Sequence, residues 1–229
     1  MVSTRSVVIS VFLAVLSIPL IYAQDLSKYR EFQFGMNLPA IAKKANLNPS
    51  EVKVIYQRPA VIQELEWRPQ SSYSSSAQRD PVEEVLFSFY SGELYRIVVI
   101  YDQLRTEGLT DQDLIESISA AYGTPTTPVA KIISSSSSHV YNDSEAVIAR
   151  WEDSQYSLNL FRSSYGSTPG MIAFSKSLDA LAQVAIVDAI RLNEQEAPQR
   201  EIDRQNKQDE EARAAGQKAR PANKANFRP

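Results

Sequence analysis

The sequence of 229 residues has no cysteine, a single histidine and only 7 glycines. Without cysteine the chain has no disulfide, no thiol nucleophile, no iron–sulfur cluster and no zinc site that needs thiolate ligands. One histidine excludes any metal site built from several imidazoles, and no glycine-rich phosphate or dinucleotide motif is present. The formal net charge of −3 is too small to indicate nucleic acid as the main partner. We therefore predict neither a cofactor nor a bound metal.

The residues that are present have the composition of a globular protein, with 43% hydrophobic and 22% charged residues. At roughly 150 residues per domain, the length allows one domain or two small ones. A chain of this size buries about 70% of the surface that its unfolded form exposes, so its core does not depend on disulfides.

The first 23 residues have the layout of a secretory signal peptide. Arg5 precedes an apolar run over residues 7–22, and Ala23 is a small residue directly before the polar Gln24. Serine and proline interrupt the run, which is shorter than the roughly 20 apolar residues of a membrane-spanning helix. We expect cleavage after Ala23 and a periplasmic or secreted location, with retention as an N-terminal anchor as the alternative. An exported chain without disulfides favours a bacterial envelope.

Residues 24–193 alternate between helical and strand patterns, which predicts an α+β fold. Asn37 can cap a helix, and the strands that follow alternate apolar with polar residues. A hairpin pattern over 85–101 turns at Ser91-Gly92, and four consecutive apolar residues at 97–100 are typical of a strand covered on both faces. We predict antiparallel β-sheet with helices packed on one face.

The order of helix and strands then repeats. Thr110 and Asp113 have the spacing of a capping box before a second helix that ends at Gly123, and three strand patterns follow. Ser177 can cap a last helix, whose predicted core stripe is Leu178, Leu181, Ala182, Ala185, Ala189 and Leu192. The repeat allows two similar halves, 24–108 and 109–193, either in one sheet or as two small domains.

Residues 194–229 form a charged tail with 8 basic and 7 acidic residues and no apolar stripe. This composition predicts disorder or a solvated, fraying helix that breaks at Pro198. No acidic residue follows position 211, and the basic residues beyond it are Arg213, Lys218, Arg220, Lys224 and Arg228. The basic end predicts a contact with an anionic surface or an envelope protein, or else it only keeps the chain soluble.

Three aromatic residues on predicted strands are candidate binding residues: Trp67, Trp151 and Tyr156. Aromatic side chains on an open sheet face bind sugars, peptides or stacked bases. The same side chains more often fill the core between a sheet and its helices, and the sequence leaves both roles open.

Two sets of residues offer catalytic chemistry. His139 follows five serines at 134–138, although no GxSxG pattern holds a serine on a sharp turn. Glu64 and Glu66 lie two residues apart on a predicted strand and share a face, as an acid and base pair would. The strand pattern predicts that this face is solvated. We therefore expect that the protein is not an enzyme, and the alternative is a secreted hydrolase.

The step Phe34-Gly35-Met36-Asn37 leads into the first helix and is followed by strands and a tight hairpin. Over residues 32–101 it resembles the Gly-Met helix entry of the SmpA/OmlA-like family, small envelope lipoproteins of the outer-membrane assembly machinery. The chain lacks that family's N-terminal cysteine and has an additional second half. The resemblance implies a helix–sheet binding module, so we expect a non-catalytic binding or adapter protein of the bacterial envelope. A structural surface protein is a further alternative.

Overall fold

An antiparallel sheet of eight strands organises the part of the chain that the computed structural model describes. The described residues are 25–69, 80–126, 131–132, 145–162, 168–226 and 228. The predicted signal peptide, the serines at 134–138 and His139 lie outside these residues.

The elements follow the predicted order of helices and strands, and the structure adds two short strands before the first helix, a short helix after the hairpin and a two-residue strand in the second half. The strands are β1 (Lys28–Tyr29), β2 (Phe32–Gln33), β3 (Lys53–Tyr56), β4 (Ile62–Trp67), β5 (Val82–Tyr90), β6 (Glu93–Tyr101), β7 (Lys131–Ile132), β8 (Glu145–Glu152), β9 (Tyr156–Arg162) and β10 (Pro169–Ser175). The helices are α1 (Leu38–Ala45), α2 (Gln103–Thr106), α3 (Asp111–Tyr122) and α4 (Lys176–Asn226), with a 3₁₀ turn at Pro49–Glu51.

The two halves of the chain share one continuous sheet. Its strand order is β3-β4-β5-β6-β10-β9-β8-β7, and β1 and β2 form a separate two-stranded ribbon. Helix α1 precedes the four strands of the first half and α3 precedes those of the second half, and the last strands of the halves, β6 and β10, pair at the centre. The predicted α+β class with antiparallel sheet is confirmed.

Local sequence signals act as predicted at the starts of α1 and α3 and at the β5–β6 turn, whereas Ser177 lies inside α4 and does not cap it. The side chain of Asn37 accepts a hydrogen bond from the backbone N–H of Ala40 at 3.0 Å and caps α1. The capping box before α3 is present in both directions. The β5–β6 turn has positive φ at Ser91 and Gly92, +49° and +86°, as a two-residue hairpin loop requires.

Helices cover both faces of the sheet, so the prediction that they pack on one face holds only for α1 and α3. These two helices share the main core with β1 and β2, whereas Ala182, Ala185 and Ile186 of α4 pack on Ile62 and Tyr95 in a separate cluster. Strand β6 is apolar on both sides, and an apolar face that is not covered loses the free energy of burial.

The predicted core stripe of α4 is partly wrong. Leu181 is 52% exposed, whereas Ile186, which the prediction omits, is buried beside Ala182, Ala185 and Ala189. Helix α4 is also longer than predicted, because it continues through Pro198 to Asn226 as one helix. The predicted tail is therefore helical over residues 194–226, and its side chains there are exposed except that of Glu196, which is half-buried.

Candidate functional site

Trp151, one of the predicted binding residues, belongs to the core. Its side chain is only 1% exposed, and its indole N–H donates a hydrogen bond to the backbone carbonyl of Gly123 at 2.8 Å. The strand carries it on the face that α1 and α3 cover. Of the two roles that the sequence leaves open for Trp151, the structure therefore shows the core role, because the side chain is almost completely buried.

The other two aromatic candidates are covered by the N-terminal segment around β1 and β2. The ring of Phe32 lies 5.3 Å from that of Trp67, and the ring of Phe34 stacks on Tyr156 at 5.6 Å between centroids. Both candidates pack against the main core and are partly buried. The sheet thus presents no open aromatic face at these positions, since the chain's own aromatic residues occupy it.

The predicted basic residues of the tail lie on the exposed end of α4. Arg213, Lys218, Arg220 and Lys224 are exposed helical residues, and Arg228 is exposed just beyond the helix. Arg220 and Lys224 follow Arg213 by seven and eleven residues, which is close to two and three helical turns. These three side chains therefore lie along one face of the helix.

A row of polar residues crosses the sheet on the face under α4. Lys53, Glu64, Ser88 and Arg96 are successive cross-strand neighbours on β3, β4, β5 and β6. Because cross-strand neighbours share a face of the sheet, the four side chains lie side by side.

Arg96 connects this row to α4. Its Nε and Nη2 both donate hydrogen bonds to Oδ1 of Asp179, at 2.9 and 2.6 Å. The guanidinium also lies 5.6 Å from the ring centroid of Tyr95. Both charged side chains are largely buried, and each charge has its partner within hydrogen-bonding distance.

Glu64 is the exception in the row, because it is a buried residue whose carboxylate forms no hydrogen bond with any other residue that the structure describes. The residue is 6% exposed, and among the residues that the structure describes no group donates a hydrogen bond to its carboxylate. Burial raises the pKa of the Glu64 carboxyl, and the charges of Lys53 and Arg96 oppose the increase. The prediction that Glu64 faces solvent is wrong, since α4 covers this face.

A cavity of about 170 Å³ lies beside Glu64, between the sheet and α4. Its polar wall includes Glu64, Ser88 and Arg96. Its apolar walls include Ile55, Ile62, Leu86, Val98, Ile186 and Ile190. Ile190 is 42% exposed, so the cavity reaches the protein surface at this residue.

The two carboxylates that the sequence suggests as an acid and base pair do not serve one cavity. Glu66 lies outside the cavity wall, accepts a hydrogen bond from Arg68 at 2.7 Å and has Lys53 Nζ at 3.8 Å. Glu64 and Glu66 share a face of β4 as predicted, but only Glu64 is enclosed. A substrate in the cavity therefore contacts one carboxylate of the pair.

Ser88, Arg96 and Asp179 are site residues that were not predicted from the sequence. One signal was available: Arg96 is a single charge within the otherwise apolar run of β6. A charge at such a position requires a buried partner. The partner, Asp179, is 83 residues away, and no local pattern connects the two.

The described residues show neither a metal site nor a membrane-spanning helix. Within the described ranges, no three His, Cys, Asp or Glu side chains are grouped so that they can hold a metal ion. None of the helices formed by described residues combines the length and apolar content needed to cross a membrane.

No family model matches the chain, and no curated protein or solved structure is similar to it. The SmpA/OmlA-like resemblance stays a prediction from the sequence.

Proposed function

We propose that this chain is a non-catalytic binding protein, an adapter, of the bacterial envelope, and that the basic end of α4 holds an anionic partner. The observation that carries the proposal is the set of cations on this end of the helix, which have no acidic partner among the described residues. The N-terminal signal pattern supports the location in the envelope.

The end of α4 extends away from the folded part of the chain. Arg58 Nη2 contacts Glu196 Oε2 at 2.7 Å, and every described residue of the helix beyond Glu196 is exposed. At 1.5 Å per residue, the 30 residues from 197 to 226 extend about 45 Å. A helix that is polar on all sides is suited to bridging through solvent to another surface.

The arginines in the middle of α4 differ from the cations at its end. Arg191, Arg200 and Arg204 each have a carboxylate of the same helix within 3.3 Å. No such ion pair occurs for Arg213, Lys218, Arg220 or Lys224 among the described residues. Asp209 and Glu210 lie one turn before Arg213, but no acidic residue lies within one turn of the other three, because the last one is Glu211. An anionic partner supplies the charge that the chain itself lacks there.

The alignment of three of these cations gives the proposal a testable geometry. Arg213, Arg220 and Lys224 lie on one helix face, so one flat anionic surface contacts all three at once. Each Lys or Arg near an anionic lipid surface contributes about 1 kcal/mol. Replacing all three by glutamine is therefore expected to weaken binding to anionic vesicles about a hundredfold.

The test places a photo-crosslinking residue at Gln217, one turn after Arg213 on the same face, in cells that express the full-length sequence. The variant R213Q/R220Q/K224Q is compared with the matched control R191Q/R200Q/R204Q, which removes cations that already have partners. We expect the control to retain the crosslinked partner and the first variant to lose it.

Binding of the protein to vesicles with and without anionic lipid then shows whether the partner is a lipid surface or a protein. Equal crosslinking by the two variants, or no crosslink at all, contradicts the proposal. A crosslink only between copies of this chain favours the structural surface protein instead.

A further inference from the structure

The cavity beside Glu64 carries an inference that is independent of the tail. Its apolar walls enclose one carboxylate that no described residue contacts by a hydrogen bond. The carboxylate oxygens border the cavity and are not fully buried, but the burial of the residue removes much of the water around its charged form, which costs free energy unless a partner replaces that water. A ligand that donates hydrogen bonds and carries a positive charge removes this cost.

The charges around the cavity favour a cation over an anion. Asp179 neutralises Arg96 through two hydrogen bonds to the same oxygen atom. The ammonium of Lys53 lies near Glu66 at 3.8 Å and its side chain is mostly exposed, so solvent screens it. Glu64 is therefore the charge in the cavity wall that lacks a close counterion among the described residues.

The size and the walls of the cavity limit the ligand further. A cavity of 150 Å³ lined by apolar side chains accommodates benzene, so about six non-hydrogen atoms fit the 170 Å³ beside Glu64. The isoleucine, leucine and valine walls are suited to a short alkyl chain. The Ser88 hydroxyl, next to Glu64 across the strand pair, can accept a second hydrogen bond.

A metal ion does not fit these walls. Hard divalent cations take six or more oxygen ligands, and the cavity wall offers one carboxylate with no second acidic side chain among its described lining residues. A group with one cationic head and an apolar body requires only the one carboxylate and the apolar walls.

We propose that this cavity binds a primary alkylammonium group, with the ammonium at Glu64 and Ser88 and the alkyl chain between Ile62 and Ile186. Two sources have this chemistry: a free short-chain amine and a lysine side chain of a peptide. In either case Ile190 forms the rim through which the group enters.

The test measures binding of n-butylammonium to the protein produced from the full-length sequence, by calorimetry and by NMR shifts of the cavity residues. n-Butanol and butyrate have the same alkyl body with a neutral or negative head. We expect saturable binding of butylammonium and binding at least tenfold weaker for the other two compounds.

Two variants and a matched control assign the binding to the cavity. E64Q keeps the shape of the side chain but removes its charge. We expect this variant to bind butylammonium at least about tenfold more weakly than the parent protein does. E66Q changes the carboxylate two residues away on the same face and is expected to bind like the parent protein. I190W narrows the rim without touching the carboxylate and is expected to slow or prevent entry.

The binding results for the two variants either support or overturn the proposed alkylammonium site. Loss of binding in E64Q and retention in E66Q support the proposal, provided that circular dichroism shows both variants folded. A short peptide with one lysine, blocked at both ends, distinguishes the sources, because tighter binding than butylammonium identifies a peptide side chain. No saturable binding, or equal binding by E64Q, overturns the proposal. Neither result depends on the basic end of α4.

Discussion

Arg96 and Asp179 join the centre of the sheet to the first turn of α4 through two hydrogen bonds to one carboxylate oxygen, at 2.9 and 2.6 Å. Their side chains are 10% and 15% exposed. The pair thereby fixes the position of α4 over the cavity that contains Glu64. Without α4 at this position, the polar row of β3 to β6 faces solvent.

We predict that Asp179→Ala lowers the free energy of unfolding by about 3 kcal/mol, because it leaves the Arg96 guanidinium buried without a counterion. Urea unfolding measures the change. The matched control is Asp188→Ala, which removes the exposed ion pair with Arg191 on the same helix and is expected to cost about 0.5 kcal/mol. Equal losses in the two variants are incompatible with this role of Asp179.

A second prediction concerns Gly170 of β10, which lies under the ring of Phe161. A Cβ atom added at residue 170 would overlap Cζ of that ring, and Phe161 is fully buried. Gly170→Ala is therefore expected to lower the free energy of unfolding by about 1–3 kcal/mol. Thermal unfolding followed by circular dichroism measures it.

Gly216→Ala is the control for Gly170→Ala, because apart from the adjacent residues and the backbone of α4 itself no atom of the described residues lies within 4 Å of a Cβ added at residue 216. In an exposed helix this substitution stabilises by about 1 kcal/mol, so the helical signal is expected to rise. The double variant Gly170→Ala/Phe161→Leu is expected to recover part of the loss. If Gly170→Ala leaves the free energy of unfolding unchanged, the Phe161 ring moves aside freely and the contact is not tight.

A third prediction concerns the dependence of stability on pH. Burial raises the pKa of Glu64 in the folded protein, so the folded state keeps its proton to a higher pH than the unfolded state does. The stability of the parent protein therefore falls as pH rises above the ordinary glutamate pKa of about 4.3, until the folded pKa is passed. Glu64→Gln removes this loss.

Urea unfolding at a series of pH values checks this prediction. Glu64→Gln is expected to be more stable than the parent protein at neutral pH, and the difference is expected to disappear below the ordinary pKa. Glu66→Gln is the control, since its carboxylate accepts a hydrogen bond from Arg68 at the surface. A difference for Glu64→Gln that is the same at all pH values contradicts the role of burial.

Features that depend on neighbours along the chain could be predicted from the sequence. The cap at Asn37, the capping box at Thr110 and the turn at Ser91-Gly92 each involve residues within four positions of one another. The buried position of β6 was also predictable, because a strand with consecutive apolar residues needs cover on both faces. Alternation in β4 correctly placed Glu64 and Glu66 on the same face.

The candidate site was less accessible to prediction, because it depends on contacts between distant residues. The alternation of β4 indicates two faces but does not indicate what covers each of them, so Glu64 was assigned to solvent. The pairing of Arg96 with Asp179 spans 83 residues. The strand patterns left both a core and a surface role open for the three aromatic candidates, and only contacts with the distant N-terminal segment show that Trp67 and Tyr156 are covered.

The sequence by itself therefore determined the class of fold, the caps of α1 and α3, the hairpin and the basic end of the chain, since each follows from local geometry or from composition. Only the tertiary structure decided that α4 covers the second face, that Glu64 is enclosed beside a cavity and that Trp151 lies in the core. The physical reason is that burial depends on which elements pack together, and in this chain those elements are distant in sequence.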